Sequence, residues 1–173
     1  MGKRYLGRFS ASVFVGDNNA QLVAGDAAAA PYSVQDRPCW AFDDTDEEAI
    51  VSEETTVPAD YAGGTVKGDV HHAMASDATN DVALDLFVEC KTPDSDTLDM
   101  EAAASWDSAN SGTESLGGTT AGDPRVMTIT LSNKDSMAAG DLFRIGLRRD
   151  CDSANDDASG DLYVFHVDVY EET

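Results

Sequence analysis

Residues 66–90 read VKGDVHHAMASDATNDVALDLFVEC, and two alternating runs lie within them. In the first, Val66, Gly68, Val70, His72 and Met74 alternate with Lys67, Asp69, His71 and Ala73. In the second, Val82, Leu84, Leu86, Val88 and Cys90 face one way, while Asp85 and Glu89 face the other. A period of two marks a strand with one buried face, because successive side chains point to opposite sides of the sheet. An amphipathic helix would repeat every three to four residues instead.

The same period recurs outside this stretch. Met127, Ile129 and Leu131 alternate with Thr128 and Thr130; Phe143, Ile145 and Leu147 alternate with Arg144 and Arg148. Near the end, Tyr163, Phe165, Val167 and Val169 alternate with His166, Asp168 and Tyr170. Further strand candidates are 4–15, 38–42 and 49–57. Runs rich in Gly, Asp, Asn and Ser separate them, such as SANSGTESLGGTTAGDP and RDCDSANDDASGD. The expected fold is all-β: an antiparallel two-sheet sandwich, jelly-roll-like, of about eight strands with long polar loops. Residues 1–30 read as an N-terminal strand or arm and 31–173 as the β-sandwich, a single domain overall. Short helical turns are possible at TLDMEAAASW (97–106) and AGDAAAAPY (24–32), but neither carries an apolar stripe.

Composition constrains function. The 173 residues hold 33 acidic and 11 basic side chains, a formal net charge of -22. Leu, Ile, Val and Phe make up about one fifth of the chain. That pairing is a signature of disorder, but disorder would not keep the phase of so many alternations. The charge argues against a nucleic-acid partner, whose phosphates need a basic footprint, and against an anionic membrane surface. No stretch is long and apolar enough for a spanning helix. The acidity has two readings, adaptation to salt or a device that keeps a densely displayed surface soluble. A melting series in salt separates them, since only the first predicts steep destabilisation at low salt.

No catalytic signature is present. There is no Gly-x-Ser-x-Gly elbow and no phosphate-binding loop. The chain is therefore expected to be non-enzymatic and to need no cofactor. The densest acidic loop holds Asp150, Asp152, Asp156, Asp157 and Asp161, a candidate calcium site in which the EF-hand pattern fails at Ala154, Asn155 and Asp161. His71 and His72 are neighbours on a strand and point apart, so they do not share one metal without a bulge. His166 stands alone on the last strand. Cys39, Cys90 and Cys151 are odd in number and scattered, so reduced thiols are expected. Arg144, Arg148 and Arg149 form the one basic cluster, available for internal pairing or for docking on an acidic partner. The less acidic stretches 1–15, 18–35 and 125–149 give the docking candidates Arg4, Tyr5, Arg8, Phe9, Arg144, Arg148 and Arg149.

The order of several phrases resembles virion subunits of tailed bacteriophages. They are VPADYAGGTVKGDVHHAMA (57–75), DVALDLFVEC (81–90), MTITLS (127–132) and AGDLFRIGLRRDCDSANDDASGDLYVFHVDVYEE (139–172). Jelly-roll head-decoration, or cement, proteins are the nearest type. The resemblance implies a structural subunit on the outer capsid surface of a virion, bridging major capsid proteins as a homotrimer. It covers about two thirds of the chain and carries no active-site residues. The alternative is a carbohydrate- or receptor-binding sandwich associated with a tail or fibre. Trp40 and Trp106 read as core or interface anchors rather than carbohydrate platforms; a sugar-binding sandwich would use an exposed Trp, Tyr61 or Tyr170.

Overall fold

A computed structural model describes residues 2–16, 29–76, 79–95, 100, 104–118 and 120–173. Its strands are β1 (Lys3–Ser10), β2 (Phe14–Gly16), β3 (Ala30–Val34), β4 (Arg37–Phe42), β5 (Glu48–Ser52), β6 (Thr55–Thr56), β7 (Val66–Met74), β8 (Asp81–Lys91), β9 (Asn110–Ser115), β10 (Arg125–Thr130), β11 (Leu142–Arg149) and β12 (Leu162–Glu172). They form two antiparallel sheets of six. One runs β10-β7-β12-β4-β3, with β1 also on β12; the other runs β2-β5-β11-β8-β9, with β6 also on β11. The expected antiparallel sandwich is what is found, with more strands than the sequence suggested.

The difference has local causes. The candidate at 4–15 is two strands in two layers. A 3-10 turn at Ala11–Val13 carries the chain from β1, paired with β12, to β2, paired with β5. Leu6, Phe9 and Phe14 enter the same core as the rest of the chain. Within 24–32, Ala30 to Tyr32 belong to strand β3 rather than to a helical turn; 24–28 lie outside the described residues, as does most of 97–106. β3 and β4 form a hairpin whose two linking residues, Gln35 and Asp36, both have positive φ (49° and 63°). That is the left-handed geometry a two-residue hairpin turn requires. β9 gives no alternation signal, because NSGTES lacks large apolar residues. It pairs with β8 and packs by close approach, since a Cβ on Gly112 would lie 2.7 Å from Ile129 Cγ1.

The inward phases of β7, β8, β10 and β11 are those read from the sequence. Val66, Val70, Leu84, Leu86, Ile129, Phe143, Ile145 and Leu147 are at most 1% exposed. β12 departs from its expected alternation. Val167 and Val169 point inward as expected, but so do Leu162 and Val164, whereas Tyr163 and Phe165 do not. The register explains it: Val164 pairs with His72 and His166 with His71, leaving Phe165 as an extra residue. A β-bulge of one residue reverses the facing of everything before it.

Deleting Phe165 tests this geometry. The deletion removes the unpaired residue, so simple alternation then carries Leu162 and Val164 inward together with Val167 and Val169, and every pairing with β7 is kept. Urea melts of the deletion should show a loss well short of the about 1.5–3 kcal/mol per side chain that turning Leu162 and Val164 into solvent would cost. Phe165→Ala, which keeps the bulge, should also cost little.

Candidate functional site

The bulge sets the outer face of the first sheet. Tyr163 lies on β12 and Tyr32 on β3, with β4 between them. In the ladders Ala41 is opposite Tyr163 and Cys39 opposite Tyr32. These small side chains leave room for the two tyrosine rings to meet over β4. They stack with centroids 5.3 Å apart and an interplanar angle of 10°, and Tyr32 is 53% exposed.

Two residues further along the same strands, Val34 and Phe165 open a groove of about 480 Å³, lined also by Arg37, His71, Val126 and His166. Apolar walls with a few basic and imidazole groups suit a ligand carrying both apolar faces and hydroxyls. His166 is directly opposite His71 across the β12–β7 ladder, and the two rings stack at 3.8 Å between centroids. Asp168 Oδ2 is 3.8 Å from His71 Nε2. Burial, then the facing His166, holds the His71 pKa below its ordinary value. His166 is thus not alone, as the sequence suggested. A cross-strand partner is invisible until the register is known. His72 points the other way, as expected, and its Nε2 meets Glu114 Oε2 at 2.7 Å.

The remaining sequence candidates fall elsewhere. Trp40 is a core residue whose Nε1 donates to Ala11 O at 2.8 Å. Tyr170 is 3% exposed. Tyr61 packs partly against the core and accepts a hydrogen bond from Lys134 Nζ at 3.0 Å. Trp106 is half-buried under the Arg144 guanidinium, 4.8 Å from its ring. Tyr32, Tyr163 and Phe165 were not singled out. Tyr32 was masked by its Ala-rich context, and Phe165 was read as facing inward.

The seven docking candidates do not share a surface. Arg4, Tyr5 and Arg8 are on β1 of one sheet. Arg4 binds Glu171 at 2.6 Å, and Arg8 lies over the Tyr5 ring at 3.8 Å. Arg144 and Arg148 are on β11 of the other sheet, bound to Glu89 (2.5 Å) and to Asp85 and Glu47 respectively. Phe9 (2% exposed) and Arg149 (0%) are interior, so neither presents a side chain at the surface.

Arg149 also decides the fate of the acidic loop. Its guanidinium takes Asp156 through Nε (3.1 Å) and Nη2 (2.8 Å), and Nη1 and Nη2 also donate to Gly160 O and Ala158 O. Asp156 Oδ2 further accepts from Ala83 N at 3.0 Å, and Asp157 Oδ1 from Asp81 N at 2.7 Å. These two carboxylates therefore do not converge with Asp150 and Asp152 on a cation. They close the loop onto β8 and β11. Cys39, Cys90 and Cys151 are free thiols. Burial, and then the neighbouring Asp152, pushes the Cys151 thiol up to about 11.

No family model matches the chain, and no curated protein matches it. Solved structures with a similar course include the CBM22-2 xylan-binding domain of Xyn10C from Paenibacillus barcinonensis, at 8% identity, 96% of this chain, 99% of that chain and a TM-score of 0.48. A carbohydrate-binding module specific for non-crystalline cellulose, CBM28, matches at 6% identity over 93% and 89% of the two chains, with a TM-score of 0.43. A family GH115 4-O-methyl-alpha-glucuronidase matches at 9% identity and a TM-score of 0.46, over 100% of this chain and 18% of that chain.

Two measurements test the buried charges. Arg149→Ala leaves Asp156 buried without its partner, which should cost about 3–5 kcal/mol in urea unfolding. Asp152→Asn, in the same loop, should be near neutral. The second test is acid. Burial opposes the charge on Asp69, Glu114 and Glu171, but the bonds of each outweigh it and hold its carboxyl below the usual range. The donors to Glu171, for instance, are Gly64 N, Ala62 N and Arg4. A depressed native pKa stabilises above the unfolded value and ceases to as pH falls through the native one. The melting temperature should thus drop below about pH 4.5, the ordinary glutamate value. Glu171→Gln should flatten that drop.

Proposed function

We propose that this chain is a non-catalytic carbohydrate-binding β-sandwich module. Its ligand lies along the outer face of the β10-β7-β12-β4-β3 sheet. The observation that carries the reading is the exposed Tyr32 ring, held flat against Tyr163, two residues along the same strands from the groove-lining Val34 and Phe165. A sugar ring offers an apolar face of C–H groups and a rim of hydroxyls. An aromatic ring already fixed in place binds the first at little entropic cost. Arg37, His71 and His166 supply polar groups for the second.

The virion-subunit expectation finds no comparable surface among the described residues. Its candidate arginines lie on opposite layers and are engaged with carboxylates. Exposed large hydrophobic residues on strands, Tyr5, Val15, Tyr32 and Val126, are spread over β1, β2, β3 and β10. A homotrimer, a major capsid protein as partner and a place on the outer capsid are not part of the proposal.

Affinity electrophoresis through gels containing soluble xylan or a soluble cellulose derivative tests it. Retardation of the wild-type chain is expected in at least one gel. Tyr32→Ala should weaken it by at least about tenfold, ~1.4 kcal/mol. Migration unchanged across a broad panel of polysaccharides, or retardation untouched in Tyr32→Ala, would sink the reading.

A further inference from the structure

We propose that His71, His166 and Asp168 form a binding site for a divalent transition-metal ion of the zinc type. The inference goes beyond the sugar reading, which rests on Tyr32 and Tyr163. Two imidazoles and one carboxylate are a donor set that zinc and its neighbours prefer, whereas calcium and magnesium favour oxygen donors alone.

Backbone register builds the cluster. His166 and Asp168 are two apart on β12 and share the outer face, and His71 is directly across from His166 on β7. One candidate ligand atom from each of the three residues lies within 4.8 Å of the others. Metal–ligand bonds of about 2.0–2.2 Å need donors roughly 3–4 Å apart. The two rings are stacked, so their in-plane lone pairs converge on one ion only when side-chain rotation breaks the stack, a change that needs no movement of the sheet.

The cluster's other contacts yield readily. Arg8 Nε is 3.6 Å from Asp168 Oδ1, and the arginine side chain is 61% exposed, so it can swing into water. His71 and His166 also line the groove, which leaves open coordination positions on that side for water or for a ligand hydroxyl.

A chain of charge -22 attracts cations unspecifically, so the test must separate a site from an atmosphere. Isothermal titration of the full chain with zinc chloride, in a large excess of magnesium, should show one saturating site. Substituting cobalt(II) should give visible d–d absorption. His71→Ala and His166→Ala should each weaken zinc at least about tenfold, comparing with the 10–100-fold that losing even an outer partner costs. The size-preserving Asp168→Asn should do so with the smallest change in packing. Cys151→Ser should leave the isotherm unchanged, which excludes thiol binding. Zinc heat abolished by magnesium, or an isotherm unchanged in both histidine variants and in Asp168→Asn, would overturn the proposal. Neither result bears on retardation by polysaccharide, which is measured without metal.

Discussion

β12 is the strand on which the first sheet depends. β7 covers one edge along most of its length. The other edge is shared: β4 pairs at Leu162–Val164 and β1 at His166 to Glu172. The bulge at Phe165 sits where these two partners change over. It lets Leu162 and Val164 reach the core from one half while Val167 and Val169 reach it from the other. It also places Phe165 and His166 consecutively against the groove. One added residue thus satisfies the core and shapes the surface at once. Bulges are frequent where a strand must re-aim a side chain.

The charge is organised by the same sheets. Asp69, Asp85, Glu89 and Glu171 are on strands and at most 6% exposed. Each has a cationic partner: Lys3, Arg148, Arg144 and Arg4 respectively. Acids that look like solvated positions in an alternating pattern are instead covered by the long stems of basic residues. The scarce cations of this chain are therefore largely committed within it. Its uncompensated charge lies mainly outside the strands. What the composition hides is that these four strand carboxylates are nearly inaccessible to solvent.

How much the sequence revealed follows from which interactions are local. Alternation is local, so the facings of β7, β8, β10 and β11 were readable from Val66, Leu84, Met127 and Phe143 onward. The sandwich class followed from them. Strand β9 was not readable, because Asn110–Ser115 packs through Gly112 and through neighbours rather than through its own apolar side chains. The β3–β4 turn escaped because Gln35-Asp36 is not the usual glycine-bearing pair. The Tyr32–Tyr163 stack and the His71–His166 pair join residues more than ninety positions apart. Only register creates them, and register over that distance is a property of the whole sheet. Arg149 was seen as part of a basic cluster, but nothing in the local sequence shows that it alone of the three is fully buried.

Pro31 gives the groove-bearing sheet a further property. It sits within β3, which among the described residues is the outermost strand on that side and pairs only with β4. Proline has no N–H to offer, so an incoming strand would meet a gap in the ladder at that point. Tyr32 is thus displayed on a margin that resists stitching to another molecule's backbone. An aromatic surface can then stay open in a concentrated solution without seeding cross-β association, a hazard that any protein carrying an exposed ring on an edge strand must meet.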